Sequence, residues 1–314
     1  MGKQAINQEE WRANRVREDQ QELAERISRA LPRDGRIEPQ PGLLFSRFSS
    51  PDELIYAVIE PSFCVVAQGS KMILVGDERF RYDPAHYLIA TMRLPAIGQV
   101  VDASQEIPYL GFGLVLDPSV VMSVMLESDG GYAPGKSAEV CSVAVSLLDA
   151  ALLDATLRLV RLIDVPAEYH SLAPLVVREI VYRLLKGAQG PRLRHLTSFG
   201  GEAHRIARAV EMLRQRFDKP LRIEDLAGNS NMSVSAFHAQ FKAATAMTPL
   251  QFQKELRLQE ARRLILNEDT GAAEAGFRVG YNDPSHFSRD YKRHFGKPPL
   301  RDIQRLREVA DTTH

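Results

Sequence analysis

The chain has 314 residues, with 40 Lys and Arg against 40 Asp and Glu, so its formal charge is zero and its pI about 7.1. That length predicts two domains, each able to bury a core of its own, while 44% hydrophobic and 25% charged residues exclude a fibrous, low-complexity or wholly disordered chain. Zero net charge argues at first sight against a nucleic-acid binder, and two distant cysteines, Cys64 and Cys141, exclude a disulfide scaffold and a zinc finger.

The N-terminal stretch MGKQAINQEEWRANRVRED is polar and lacks the apolar core of a signal peptide. The greasiest run, VCSVAVSLLDAALL, is interrupted by Asp149 and Asp154 well short of the roughly 20 apolar residues of a membrane span. A soluble, cytoplasmic protein with no membrane segment is expected. Residues 8–31 place Val16, Leu23, Ile27 and Leu31 at helical spacing amid dense charge, which predicts an amphipathic helix stopped by Pro32 and Pro39. Residues 1–41 therefore read as a charged helical extension.

From about 43 to 116 the pattern turns to short runs rich in β-branched and aromatic residues: LLFSRF, LIYAVI, FCVVAQ, KMILV, ERFRY, HYLIATM and YLGFGLVL. Turn residues separate them, so a small β-barrel or sandwich is predicted, with Gly76-Asp77 as its tightest hairpin. Beyond Asp117-Pro118 helices are expected over 118–128, 137–164 and 167–187, closing a domain that runs from 42 to 187. The long helix would carry Val140, Val143, Ala144, Leu147, Leu148, Ala151, Leu152 and Ala155, a stripe that either packs on a partner subunit as well as its own domain or serves as an internal core helix. The segment KGAQGPRLRHLTSFGGE is rich in Gly, Pro, Ser and basic residues, which predicts a linker over 188–202.

Residues 203–308 read as helical throughout. Splitting the charge before residue 202 changes its meaning: residues 202–314 hold 19 Lys and Arg against 15 Asp and Glu, and residues 1–201 hold 21 against 25. Within the basic half two segments share one pattern. Leu221–Ala227 is followed by Asn231-Met232-Ser233, then Phe237, Phe241 and Thr248-Pro249. Ala272–Ala275 is followed by Gly280-Tyr281, then Pro284, Phe287, Tyr291, Phe295-Gly296 and Pro298. Each predicts a short helix, a tight turn and a second helix with aromatics at i and i+4, the outline of a helix-turn-helix. LQFQKELRLQEARRLIL joins them.

The stretch IARAVEMLRQRF, IEDLA, MSVSAFHAQFKAAT, TPLQFQKELRLQEARRLI and above all GYNDPSHFSRDYKRHFGKPP resembles the DNA-binding domain of the AraC/XylS family of bacterial transcription regulators. The earlier segment EPSFCVVAQGSKMILVGDERFRYDPAHYLIATMRLPAIGQVVDAS is similar to the cupin-like N-terminal domain of one branch of that family. The resemblance implies an α+β fold: a cupin-like β-barrel with flanking helices, then an all-α domain of two helix-turn-helix units joined by a linker helix. It also implies promoter DNA as a partner, RNA polymerase if the protein is an activator, a small-molecule effector and a homodimer. Each subunit would read two successive major grooves, about 34 Å apart.

In the first unit Ser233 is a natural N-cap and Phe237 and Phe241 face inward, so Ser235, His238, Ala239 and Lys242 face out; the resemblance makes these base-edge and phosphate positions. Ala239 departs from the long polar or basic residue often found there. In the second unit Phe287, Tyr291 and Phe295 are core, which leaves Ser285, Ser288, Arg289, Lys292 and Arg293. Arg289 suits a guanine edge, Lys292 and Arg293 phosphates. Gly276 and Ala275 stand where the family usually has Ala and Ile, which predicts a second unit of reduced stability, by about 1 kcal/mol for Gly against Ala.

Metal cupins resemble one another in a His-x-His with a following Glu, but here only His86 is available, with Glu78 and Glu106 distant. No catalytic residue, metal or cofactor is expected, although a cupin-type enzyme fused to a DNA-binding domain and a ligand-independent regulator controlled by dimerisation are the alternatives. Cys64 and Cys141 read as buried apolar residues. For the effector, Arg26, Arg29, Arg33 and Arg36 form a basic cluster, and Arg29-Ala-Leu-Pro-Arg33 resembles the Arg-x-x-x-Arg of PilZ-type cyclic-di-GMP receptors. Guanidinium forks pair with phosphates and stack on guanine. The competing reading is a solvated charged segment, since eight basic and seven acidic residues interleave over residues 1–36.

Overall fold

The computed structural model describes residues 2–51, 54–128, 141–196, 202–268 and 270–312. The chain forms two units, one from Met1–Ile55 with Ile59–His204 and the other from Arg205–His314 with Tyr56–Val58.

The first unit begins with helix α1 (Gly2–Ala30) and continues through strands β1 (Gly35–Gln40), β2 (Leu43–Phe48), β3 (Leu54–Ile59), β4 (Ser62–Gln68) and β5 (Ser70–Val75). Strands β6 (Glu78–Tyr82), β7 (His86–Ala90), β8 (Leu94–Asp102) and β9 (Tyr109–Val115) follow, then α2 (Pro118–Ser128), β10 (Val143–Leu147), α3 (Ala150–Leu162), α4 (Pro166–Lys186) and α5 (Gly190–His195). They build a six-stranded sheet in the order β1-β2-β9-β4-β7-β10 and a four-stranded sheet in the order β3-β8-β5-β6. The expected barrel is thus not closed; it is a jelly-roll-like pair of sheets. The predicted Gly76-Asp77 hairpin is present: Val75 pairs with Glu78, and Gly76 takes φ 56°, the left-handed conformation of a two-residue primed turn.

Alternation assigns the faces of the six-stranded sheet. Phe63, Val65, Leu110, Phe112 and Leu114 point to one side, where they are buried with Leu23 and Ile27 of α1, Leu152 and Leu157 of α3 and Ile180 and Leu184 of α4. Residues 1–41 are therefore not a separate extension: α1 lies in the core cluster of the sheet, and β1 is a strand of it.

Two further expectations change. The helix expected over 137–164 is a strand followed by a helix, because Val143–Leu147 pairs with β7 along its free edge and Asp149 caps a new helix, accepting from the Leu152 amide at 2.8 Å. Val140 lies outside the described residues, and Cys141 precedes the strand rather than lying on a helix. The linker expected over 188–202 begins as α5, whose Leu193 is fully buried and whose Arg192 donates to the Cys141 carbonyl at 2.7 Å. Residues 197–201 lie outside the described residues. Among the described residues no helix is long and apolar enough to cross a membrane.

The second unit comprises α6 (Glu202–Gln215), α7 (Ile223–Asn229), α8 (Val234–Thr245), α9 (Pro249–Asn267), α10 (Ala272–Arg278), α11 (Pro284–Phe295) and α12 (Pro299–Thr312). Helices α7 and α8 form one helix-turn-helix, α10 and α11 the other, and α9 joins them. Thr248 and Gln251 start α9 with a reciprocal capping box, at 3.2 and 2.9 Å. The second turn needs glycine twice over: Gly280 has φ 90°, and a Cβ there would overlap the Asp218 carbonyl. Arg257 of α9 ties that turn down, donating to the carbonyls of Gly280, Phe217 and Lys219 at 2.9, 2.7 and 3.0 Å.

Gly276 is not simply a weak helix former. A Cβ at this position would lie 2.9 Å from Phe287 Cγ, so the glycine lets α10 press against the ring of α11. Gly276→Ala is expected to lower the unfolding midpoint of the second unit, because overpacking costs about 1–3 kcal/mol and outweighs a helix-propensity gain of about 1. Chemical denaturation of the full chain measures the difference, and a stabilised variant would refute the packing account.

Candidate nucleic-acid interface

Helices α8 and α11 repeat one design at an offset of fifty residues. Ser233 caps α8 by accepting from the Ala236 amide at 3.2 Å, and Asp283 caps α11 by accepting from the Ser285 amide at 2.8 Å. Phe237 and Phe241 are buried in the first, Phe287 and Tyr291 in the second. Each helix ends in a left-handed residue, Ala246 at φ 57° and Gly296 at φ 79°. With the aromatic face fixed inward, the opposite face is dictated. Ser235, Ala239 and Lys242 are exposed on α8 and His238 half-buried; Ser285, Arg289, Lys292 and Arg293 are exposed on α11 and Ser288 half-buried.

Electrostatics separate the cations of α11. Asp290 is buried on the inner side of the helix, receives the Lys254 ammonium of α9 at 2.8 Å and also pairs with Arg293. Burial pushes its carboxyl up, but Lys254, with Arg293 and His286 nearby, brings it below its ordinary value. The Tyr281 hydroxyl donates to its other oxygen at 3.3 Å. Arg293 is thus engaged by a carboxylate, whereas Arg289 and Lys292 have no ion-pair partner among the described residues. A second buried pair holds the far end of the helix. Arg262 of α9 makes a two-pronged contact with Asp302 of α12 at 2.8 and 3.1 Å, and the Tyr291 hydroxyl donates to the same carboxylate at 3.0 Å.

Sequence reasoning identified the outward residues and missed what orients them: Lys254, Asp290, Arg262 and Asp302. An aspartate in a basic helix reads as surface, and its partner lies 36 positions away, so only the phase of Asp290 with Phe287 and Tyr291 could have pointed inward. His286, exposed and 3.5 Å from Asp290, also went unremarked.

In the first unit the four arginines are not equivalent. Arg26 is spent on Glu22 at 2.7 Å and on Asp164 at 2.5 Å, while Arg29, Arg33 and Arg36 are exposed. Glu22, which also receives Arg161, is held down at about 2 by these guanidinium groups. Cys64 lies on β4 and is partly exposed as a residue, but burial of its thiol pushes the group up, against the lowering effect of the Ser62 hydroxyl at 3.7 Å.

Residues 39–192 match the family described as AraC-type transcriptional regulator N-terminus, and residues 226–305 match a helix-turn-helix domain family. The chain is an AraC-family regulator. Among curated proteins the AraC-family chain is 31% identical over 105 residues to the HTH-type transcriptional activator RhaS of Klebsiella pneumoniae, covering 33% of this chain and 37% of RhaS. It is 31% identical over 120 residues to RhaS of Citrobacter koseri, covering 37% and 43%. The chain thus spans less than half the length of these relatives. An apo form of ToxT from Vibrio cholerae shares the fold of the AraC-family chain, with a TM-score of 0.55 at 9% identity over 85% of this chain and 98% of ToxT.

Proposed function

We propose that this AraC-family protein is a sequence-specific DNA-binding transcription regulator, an activator that meets RNA polymerase at its promoters and whose N-terminal unit answers a small-molecule effector. The carrying observation is α11, where Phe287, Tyr291 and Phe295 face the core and Arg289 and Lys292, without an ion-pair partner among the described residues, are exposed on the opposite side. Arg289 reads a guanine edge and Lys292 a phosphate, while Ser285 and Ser288 supply hydroxyls to the same groove. Arg293, already paired with Asp290, contributes less. On α8, Ser235, His238, Ala239 and Lys242 form the corresponding and less basic surface. Match to the N-terminal AraC family and to activators supports regulation over the cupin-type enzyme, and a homodimer suits two-fold operators. Cyclic-di-GMP is the weaker effector candidate, because Arg26 already has carboxylate partners, which leaves Arg29, Arg33 and Arg36 of the four for its phosphates.

Binding assays on an operator and on random duplex test the assignment. Arg289→Ala should lose affinity for the operator but little for random DNA, by about 1–3 kcal/mol of discrimination. Lys292→Ala should weaken both alike and shallow the salt slope by about one. Equal losses on both duplexes for Arg289→Ala would remove its base-reading role.

A further inference from the structure

Strand β5 departs from its own period. Lys71, Ile73 and Val75 alternate toward the space between the two sheets and are 8%, 5% and 0% exposed, so a lysine fills a position that alternation reserves for an apolar side chain. Two glycines accommodate its surroundings. A Cβ at Gly98 of β8 would lie 3.0 Å from Lys71 Cε, and one at Gly111 of β9 would overlap the Tyr109 hydroxyl. Lys71 Nζ lies 5.7 Å from the Tyr109 ring centroid, and Tyr82 pairs directly with Lys71 on β6.

No hydrogen-bond or ion-pair partner meets Lys71 among the described residues. The charged or ionisable groups that act on it are Arg36, a second cation, and the Cys64 thiol. A buried ammonium beside another cation is costly unless an anion joins it. The register shows where that anion would extend. Leu44, Gly113 and Cys64 lie side by side across β2, β9 and β4, and Arg36, Ser46 and Gly111 form the next row. Leu44 is 39% exposed, so this row is apolar and open rather than packed shut. Phe48 stacks on Tyr109 with ring centroids 6.3 Å apart, and Arg36 lies over Phe48 at 5.8 Å.

We propose that the cleft between the two sheets binds an apolar organic acid, whose carboxylate pairs with Lys71 beside Tyr109 and whose hydrocarbon part lies along Leu44, Gly113 and Cys64, with Arg36 at the rim. Arg36 is exposed at the rim, so inside the cleft one ammonium matches one negative charge; a phosphomonoester, carrying about −1.5 to −2 at neutral pH, would bring more charge than Lys71 alone meets there. The site rests on the effector reading only for its regulatory consequence.

Isothermal titration of the full chain with octanoate, octanamide and octyl phosphate tests it, using wild type, Lys71→Met and Arg36→Gln. Octanoate is expected to bind wild type at least tenfold more tightly than either analogue. Lys71→Met should lose at least tenfold of that affinity together with the preference for acid over amide, and Arg36→Gln should lose less. Absence of octanoate binding to wild type, equal binding of octanamide, or unchanged binding by Lys71→Met would each overturn the site. Operator binding by Lys71→Met serves as the folding control. Octanoate that binds through Lys71 without altering operator affinity would leave the site standing and refute the effector reading instead.

Discussion

Arg262→Ala is expected to destabilise the C-terminal unit by about 3–5 kcal/mol, since it strands the charge of a buried carboxylate. Asp302 is 1% exposed, and its two oxygens are met by the Arg262 guanidinium and the Tyr291 hydroxyl. Arg262 also lies 4.6 Å from the Phe295 ring centroid, so the truncation removes packing as well. Helix α12 would then lose its tie to α9, and the buried Asp302 would keep only the Tyr291 hydroxyl of α11 and the distant Arg305 guanidinium at 3.8 Å. Thermal and urea unfolding of the full chain, with operator binding as a second readout, measures the effect. Replacing the pair together, as Arg262→Met with Asp302→Leu, should recover much of the stability, because two apolar side chains leave no buried charge. A single variant that unfolds like wild type would show that solvent reaches Asp302.

Lys71→Met works in the opposite direction and is expected to stabilise the protein. Burial, with Arg36 adding to it, lowers the Lys71 ammonium to about 8, far below its value in an unfolded chain. The folded state therefore gives up its proton earlier than the unfolded state. Below about pH 8 the penalty of holding a buried charge is present in full, on the order of 3 kcal/mol. As pH rises from about 8 toward 10.4 the unfolded state binds more protons than the folded state, and wild-type stability rises relative to the variant. Melting temperatures of wild type and Lys71→Met across pH 7 to about 10.5 should converge; a variant less stable than wild type at pH 7 would show that the lysine is a structural support. A residue retained against a stability cost is the pattern of a functional position.

The helix-turn-helix pair was readable because its information is local. Ser233 marks the start of the first recognition helix, aromatics four apart mark the buried face of both, and Gly280 and Gly296 mark the turns. The two-sheet half was readable as strands but not as a topology, because which edge takes which strand depends on partners far away. Val143–Leu147 shows the difficulty: its apolar residues fit a helical stripe and a strand equally well, and the free edge of β7 decided between them. Residues 188–195 looked like a linker by composition, yet Leu193 finds a place in the core. Lys71 left one trace in the sequence, since it is in phase with Ile73 and Val75.

Arg257 carries a consequence for the operator. Its guanidinium fastens the turn of the second helix-turn-helix to the Phe217 and Lys219 carbonyls just ahead of the first, and Gln253 donates to the same two carbonyls at 2.9 and 2.7 Å. The two reading heads therefore form one ruler with fixed spacing. If α8 and α11 contact DNA as proposed, a duplex whose grooves do not fit that spacing would have to bend, and the base pairs between the two contact sites would be selected by their flexibility, without a side chain touching them.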